Sequence, residues 1–110
     1  MPIDISQLEV LVAVAQERGF SRAAERLHRT QPAVSQTIRR LELEIGEPVF
    51  DRSSKDGTLT AAGQVLLDYA VQMLNLRREA TEAVRELADF QRGKVSISAN
   101  EYTVMHLLPI

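Results

Sequence analysis

Between Gln31 and Arg40 the chain sets Gln31, Ser35, Gln36, Arg39 and Arg40 within three helical turns of one another. Their chemistry is that of groove recognition. A glutamine amide matches the N6 and N7 edge of adenine, and a serine hydroxyl donates or accepts at a base edge or a phosphate. Arginine forks onto guanine or holds the backbone. Pro32 sits beside Gln31, and Arg52 follows in a later polar turn. Ser21, Thr30 and Ser53 complete the candidate set for nucleic-acid contact. Taken singly, each is an ordinary solvated polar side chain.

Material for catalysis is sparse. There is no cysteine, so thiolate zinc sites, disulfides and cysteine nucleophiles are excluded. His28 and His106 are isolated, without metal-ligand spacing. No glycine-rich phosphate loop occurs, and Glu42, Glu44 and Glu47 read as a solvated acidic flank on a helix. An enzyme is therefore not expected, nor a cofactor, nor a metal.

The elements that must position the polar set follow from periodicity. Ile5, Leu8, Leu11, Val12 and Ala15 recur at the helical period, and Gly19 ends that helix. Ser21 is placed as the N-cap of a short second helix, Arg22 to His28, with Ala23, Ala24 and Leu27 inward. Small residues at 23 and 24 let a neighbouring helix approach closely. Thr30 or Gln31 caps a third helix with Pro32 in its first turn, where a missing N–H costs nothing. Val34, Ile38, Leu41 and Ile45 form its buried stripe, and Gly46 with Pro48 stops it. The stripe leaves Ser35, Gln36, Arg39 and Arg40 facing partly or wholly outward. Val49-Phe50 and Thr58-Leu59-Thr60 flank a polar turn closing on Asp56-Gly57, which reads as a small hairpin with Arg52 and Lys55 at its tip. Three helices and a hairpin are the layout of a winged helix-turn-helix.

Net charge looks unfavourable for a nucleic-acid partner: 13 basic and 15 acidic residues give −2 over 110 residues. Its distribution reverses that impression. Residues 18–40 carry six arginines against Glu25, a block of +5, between stretches of −3 (residues 1–17) and −4 (residues 41–51). A block of that size suits phosphate contacts. The N-terminus has no signal pattern and no apolar run could span a bilayer, so the expected location is cytoplasmic, with no membrane partner.

Thr60 caps a long helix from about Ala61 to Arg92, roughly 45–48 Å at ~1.5 Å per residue. A head of about 56–60 residues cannot bury so long a helix. Leu66, Ala70, Met73, Ala80, Val84 and Leu87 follow alternating four- and three-residue steps, with Arg77 as the polar intruder, and read as a dimerisation seam. Gly93 closes the helix, and Lys94 to Ala99 alternates as a half-buried strand with no sheet to join. The expected organisation is a winged helix-turn-helix domain over 1–60, a linker and dimerisation helix over 61–92, and over 93–110 the start of a truncated α/β effector-binding domain. The fold class is mainly α, a winged helix-turn-helix followed by a long dimerising linker helix.

Three linked motifs, FSRAAERLHRTQPAVSQTIRRLE at 20–42, IGEPVFDR at 45–52 and LTAAG at 59–63, resemble the DNA-binding domain of LysR-type transcriptional regulators. The resemblance implies a bacterial regulator that binds double-stranded DNA as a homodimer, assembling as a dimer of dimers when full-length. It also implies a small-molecule effector bound only by a C-terminal domain absent here. Gln31, Pro32, Ser35 and Gln36 match the family's major-groove positions and Arg52 its wing arginine. Ala24 matches the small residue between the motif helices, and Thr60 with Gly63 the hairpin-to-linker junction. Gln36 departs from the family's frequent arginine or lysine, Thr37 from its frequent glutamine, and Ala61 from a commonly charged residue. The reading is sequence-specific binding to an inverted repeat through the helix at 31–45 and the wing at 49–60. The alternative is a helical dimerisation or protein-interaction module that binds no DNA.

Overall fold

A computed structural model of the chain describes residues 3–53 and 57–93. It contains four helices among them: α1 (Ile5–Glu17), α2 (Phe20–Leu27), α3 (Gln31–Ile45) and α4 (Ala61–Gln91). The strand expected at Lys94–Ala99 and the end of the chain, like Lys55 in the wing, lie outside the described residues.

Each helix boundary has a local cause. Asp4 and Gln7 form a reciprocal capping box that satisfies two free N–H groups at the start of α1. At its other end Arg18 turns into the left-handed region at φ 58°. The Arg22 guanidinium then reaches back to the carbonyls of Glu17, at 3.0 Å, and Arg18, at 3.3 Å. These bonds take up acceptors that the helix end leaves open.

The second helix corrects the sequence reading at its start. It begins at Phe20 with Gly19 as N-cap and no side-chain capping bond. Ser21 is thus inside the first turn, exposed, and caps nothing, because the chain has already turned at Arg18 and Gly19 takes the N-cap position. For α3 the structure settles the open choice. The Thr30 hydroxyl accepts from the Ala33 N–H at 3.3 Å, and Gly46 ends the helix at φ 86°.

The described chain divides into two compact units, one ending at Leu74 and one starting at Asn75. In the first, α1 packs against both α2 and α3. Val10, Ala13 and Val14 are buried beside Leu8, Leu11 and Val12, so α1 is enclosed on more sides than a single stripe implies. Val34, Ile38 and Leu41 are fully buried, while Ile45 only flanks the core. Each complete side-chain burial of this kind contributes roughly 1.5–3 kcal/mol.

The wing is minimal. Phe50 and Leu59 form an isolated antiparallel bridge, framed by Asp51 N–H to the Thr58 carbonyl at 2.8 Å and Thr60 N–H to the Val49 carbonyl at 3.0 Å. Phe50 turns inward to meet Phe20 edge to face at 5.4 Å between ring centres. The Thr60 hydroxyl donates to the Pro48 carbonyl and accepts from the Gly63 N–H, joining the wing to the first turn of α4. Gly63 is obligatory at this junction. A Cβ there would collide with the Val49 carbonyl oxygen and lie 2.9 Å from Leu59 Cδ2.

The early turns of α4 complete the first unit's core. Ala70 is fully buried, and Leu66, Leu67 and Leu74 pack against the same cluster. Of the expected dimer seam, Ala70 is thus enclosed by its own head and Leu66 is half-buried against it. In the unit starting at Asn75, Leu76 and Val84 stay 65% and 68% exposed, Ala80 is also exposed, and Leu87 is half-buried. Among the described residues no helix is long and apolar enough to cross a membrane.

Candidate nucleic-acid interface

Burial of Val34, Ile38 and Leu41 fixes the rotation of α3 and therefore what its other face presents. Gln31, Pro32, Gln36, Arg39 and Arg40 are exposed and Ser35 is half-buried. An open recess of about 590 Å³ lies along the helix start, lined by Thr30, Gln31, Pro32, Ala33, Ser35, Gln36 and Arg39. The structure thus brings six of the ten candidate contact residues to one surface.

Two of them are already coupled. Gln31 Nε2 donates to Ser35 Oγ at 3.2 Å, which restrains the amide while leaving its oxygen and second N–H free. A bidentate partner such as adenine needs one donor and one acceptor from that amide. Thr37, by contrast, spends its O–H on the Ala33 carbonyl at 3.0 Å and keeps only acceptor capacity and its methyl group for an outside partner. Arg39 and Arg40 have no ion pair among the described residues, so their charges remain for phosphate. Thr30 spends its oxygen as the cap acceptor and keeps its O–H as a donor. Ser21 sits apart, on the first turn of α2.

The wing residues are more constrained than their sequence indicates. Ser53 donates both its N–H, at 3.0 Å, and its hydroxyl, at 2.6 Å, to the Asp51 carboxylate. The hydroxyl bond first, and the N–H bond second, hold the Asp51 carboxyl below its ordinary value. Arg52 pairs through Nη2 with Glu42 Oε1 at 2.5 Å, and its guanidinium carbon lies 5.9 Å from the centre of the Phe20 ring. About half of the Arg52 side chain is still exposed.

Glu42 is the residue beside the site whose contacts the sequence did not reveal. It is no solvated flank: its side chain is only 12% exposed. Glu42 Oε2 accepts from the N–H groups of Val49, at 2.8 Å, and Phe50, at 3.3 Å, while Oε1 holds Arg52. The signal was its place beside the buried stripe, four residues after Ile38 and three before Ile45. Leu43, one residue and about 100° further round the helix, is 81% exposed.

Comparison with known proteins accords with this geometry. The family described as bacterial regulatory helix-turn-helix protein, lysR family, matches residues 5–64. The chain is 38% identical over 109 residues to a probable RuBisCO transcriptional regulator of Trichormus variabilis, covering 99% of this chain and 32% of that protein. A probable RuBisCO transcriptional regulator of Gracilaria tenuistipitata var. liui is also 38% identical, with 35% of it covered. The chain therefore spans about a third of the length of the curated relatives it matches.

Among solved structures, the BenM DNA-binding domain in complex with catB site 1 DNA superposes with a TM-score of 0.78 at 28% identity, covering 81% of this chain and 96% of that one. Vibrio fischeri DarR in complex with DNA gives 0.76 at 32% identity, covering 82% and 31%. The CbnR DNA-binding domain in its DNA complex gives 0.73 at 32% identity, covering 78% and 99%. The helix-turn-helix, the wing and the long fourth helix have their counterparts in regulators, and this chain belongs to the lysR family of bacterial regulatory helix-turn-helix proteins.

Proposed function

We propose that this chain reads double-stranded DNA by seating the start of α3 in the major groove and Arg52 of the wing beside it. The observation that carries the reading is the outward face of α3. There a restrained Gln31–Ser35 pair stands next to exposed Gln36, Arg39 and Arg40, inside a block of net charge +5. Gln31, Pro32, Ser35 and Gln36 face base edges. Thr30, Arg39, Arg40, Ser21 and Ser53 hold the backbone. Similar domains solved in complex with DNA support a DNA-binding role for this one.

A dimer accounts for the apolar surface of α4. With Ala70 enclosed by the head and Leu66 half-buried against it, the seam runs through Met73, Leu76, Ala80, Val84 and Leu87, all exposed or half-buried. Val65 and Tyr69, each 59% exposed, continue the same spacing toward the start of the helix. Such a dimer sets two copies of α3 against an inverted repeat. In the whole protein, a cytoplasmic dimer of dimers answers to a small molecule held by a domain beyond residue 93.

Affinity measured against salt concentration tests the reading. Each phosphate contact releases counterions, so log affinity falls steeply with log salt, by about 0.9 per contact. Ser35→Ala should weaken binding to a selected duplex about fivefold, the size of one hydrogen bond. A slope near zero for every duplex, from a chain that still dimerises, would leave only the alternative of an interaction module without DNA.

A further inference from the structure

We propose that Glu42 is a positioning residue for the wing arginine, so that DNA binding depends on a negative charge which simple electrostatics sets against it. The inference rests on the DNA-reading role of Arg52 argued above. Glu42 lies in α3, Phe20 in α2 and Arg52 in the wing, and the three meet around one guanidinium. Oε1 of Glu42 takes Nη2 of Arg52, and the Phe20 ring lies against the guanidinium. The carboxylate is itself immobilised, because Oε2 accepts from two successive backbone N–H groups, those of Val49 and Phe50.

This arrangement ties the direction of Arg52 to the recognition helix. A long arginine otherwise samples many rotamers, and ordering it on DNA carries an entropy cost. Holding one nitrogen on Glu42 and the carbon over Phe20 orders the side chain before DNA arrives. The remaining guanidinium N–H donors stay available, and about half of the side chain is open to solvent. Minor-groove or phosphate contact then needs no rearrangement of the wing.

Glu42→Gln separates this role from its rivals. The amide oxygen still accepts from Val49 and Phe50, but the amide nitrogen now faces Arg52, donor against donor. Were Glu42 a bystander acid, removing its charge near phosphate would tighten binding. Were it a restraint keeping Arg52 off DNA, freeing Arg52 would tighten binding as well. A positioning role predicts the opposite sign.

The probe is a fluorescent duplex recovered with the 110-residue chain from a random-sequence pool, titrated across a salt series. Glu42→Gln should weaken binding about tenfold. It should also lower the salt slope by about one contact. Arg52→Ala added to Glu42→Gln should then change affinity by less than about twofold, since the pair acts as a unit. Unchanged or tighter binding by Glu42→Gln overturns the proposal, as does an Arg52→Ala loss that is equally large with and without Glu42.

A second measurement needs neither DNA nor a variant. The Arg52 Nη–H signals in the free chain should exchange with water more slowly than those of Arg39 and Arg40, and equal exchange overturns the proposal even if Glu42→Gln does not fold. If the unaltered chain binds no duplex in a salt-dependent way, the DNA reading itself fails. The exchange rates then still decide whether Glu42 orders Arg52.

Discussion

The unit ending at Leu74 and the part of α4 from Asn75 onward are built on opposite terms. The first closes on itself: Phe50, Leu8, Leu11, Ile38 and Leu41 are all essentially inaccessible, and even Glu42 is occupied by wing contacts. The second has helical periodicity but no interior, with Leu76 and Val84 more than half exposed. One region buries its apolar side chains against one another, and the other leaves them open to solvent. Apolar residues at the same helical period thus build a core in one place and an exposed face in the other, the face proposed above as a dimer seam.

The largest expected effect lies in the head. Phe50 is 1% exposed, meets Phe20 edge to face and anchors the wing bridge. Phe50→Ala should cost about 3–5 kcal/mol by denaturant unfolding. A domain of this size holds only about 4–10 kcal/mol in total, so the variant should lose roughly a third or more of its stability. Gly63→Ala should cost about 2–3 kcal/mol, because its Cβ meets a backbone carbonyl that cannot rotate away. Losses below about 1 kcal/mol in both would mean that the wing and the α4 junction are not part of one cooperative head.

In the second region the sign of the contrast reverses. Leu76→Asp should leave the unfolding free energy of the head within about 0.5 kcal/mol, since the residue is 65% exposed. Its effect should appear in sedimentation, where the dimer dissociation constant rises roughly tenfold to a hundredfold. Val84→Asp should behave alike. Ala70→Asp should do the reverse, disrupting folding before association, because it places a charge in the closed core. An unchanged dimer in Leu76→Asp, or a chain monomeric from the outset, refutes the seam through Leu76, Ala80 and Val84.

What was legible from sequence follows the same division. The helix-turn-helix could be read because caps and stripes are local: Thr30 with Pro32, Gly46, and Val34-Ile38-Leu41 each act within a few residues. The recognition face came with them, since burying one side of α3 dictates the other. Two features were not legible, for a shared reason. Glu42 earns its role from Val49, Phe50 and Arg52, which reach it only when the chain doubles back. Leu66 and Ala70 fit a heptad as well as their exposed neighbours do, and only the head's finished shape decides which way each faces. Periodicity identifies an apolar face; it does not say which of two available partners covers it.

The smallest effect asks whether the order of the head extends to its exposed edge. Asp51 is fully exposed, yet it accepts the Ser53 hydroxyl and N–H and is held below its ordinary pKa of 3.8. A depressed carboxyl pKa in the folded state means that unfolding takes up protons at low pH. The contribution of this turn is therefore complete above about pH 4 and lost as the pH falls through the folded-state pKa. Stability near neutrality should not depend on it. Ser53→Ala removes the larger of the two causes, so the Asp51 carboxyl, followed by carbon NMR through an acid titration, should move up toward 3.8. Only the N–H bond then holds it down. A titration midpoint that Ser53→Ala leaves in place would show that the turn is not formed in solution, and the wing would then resemble the open part of α4 more than the closed head.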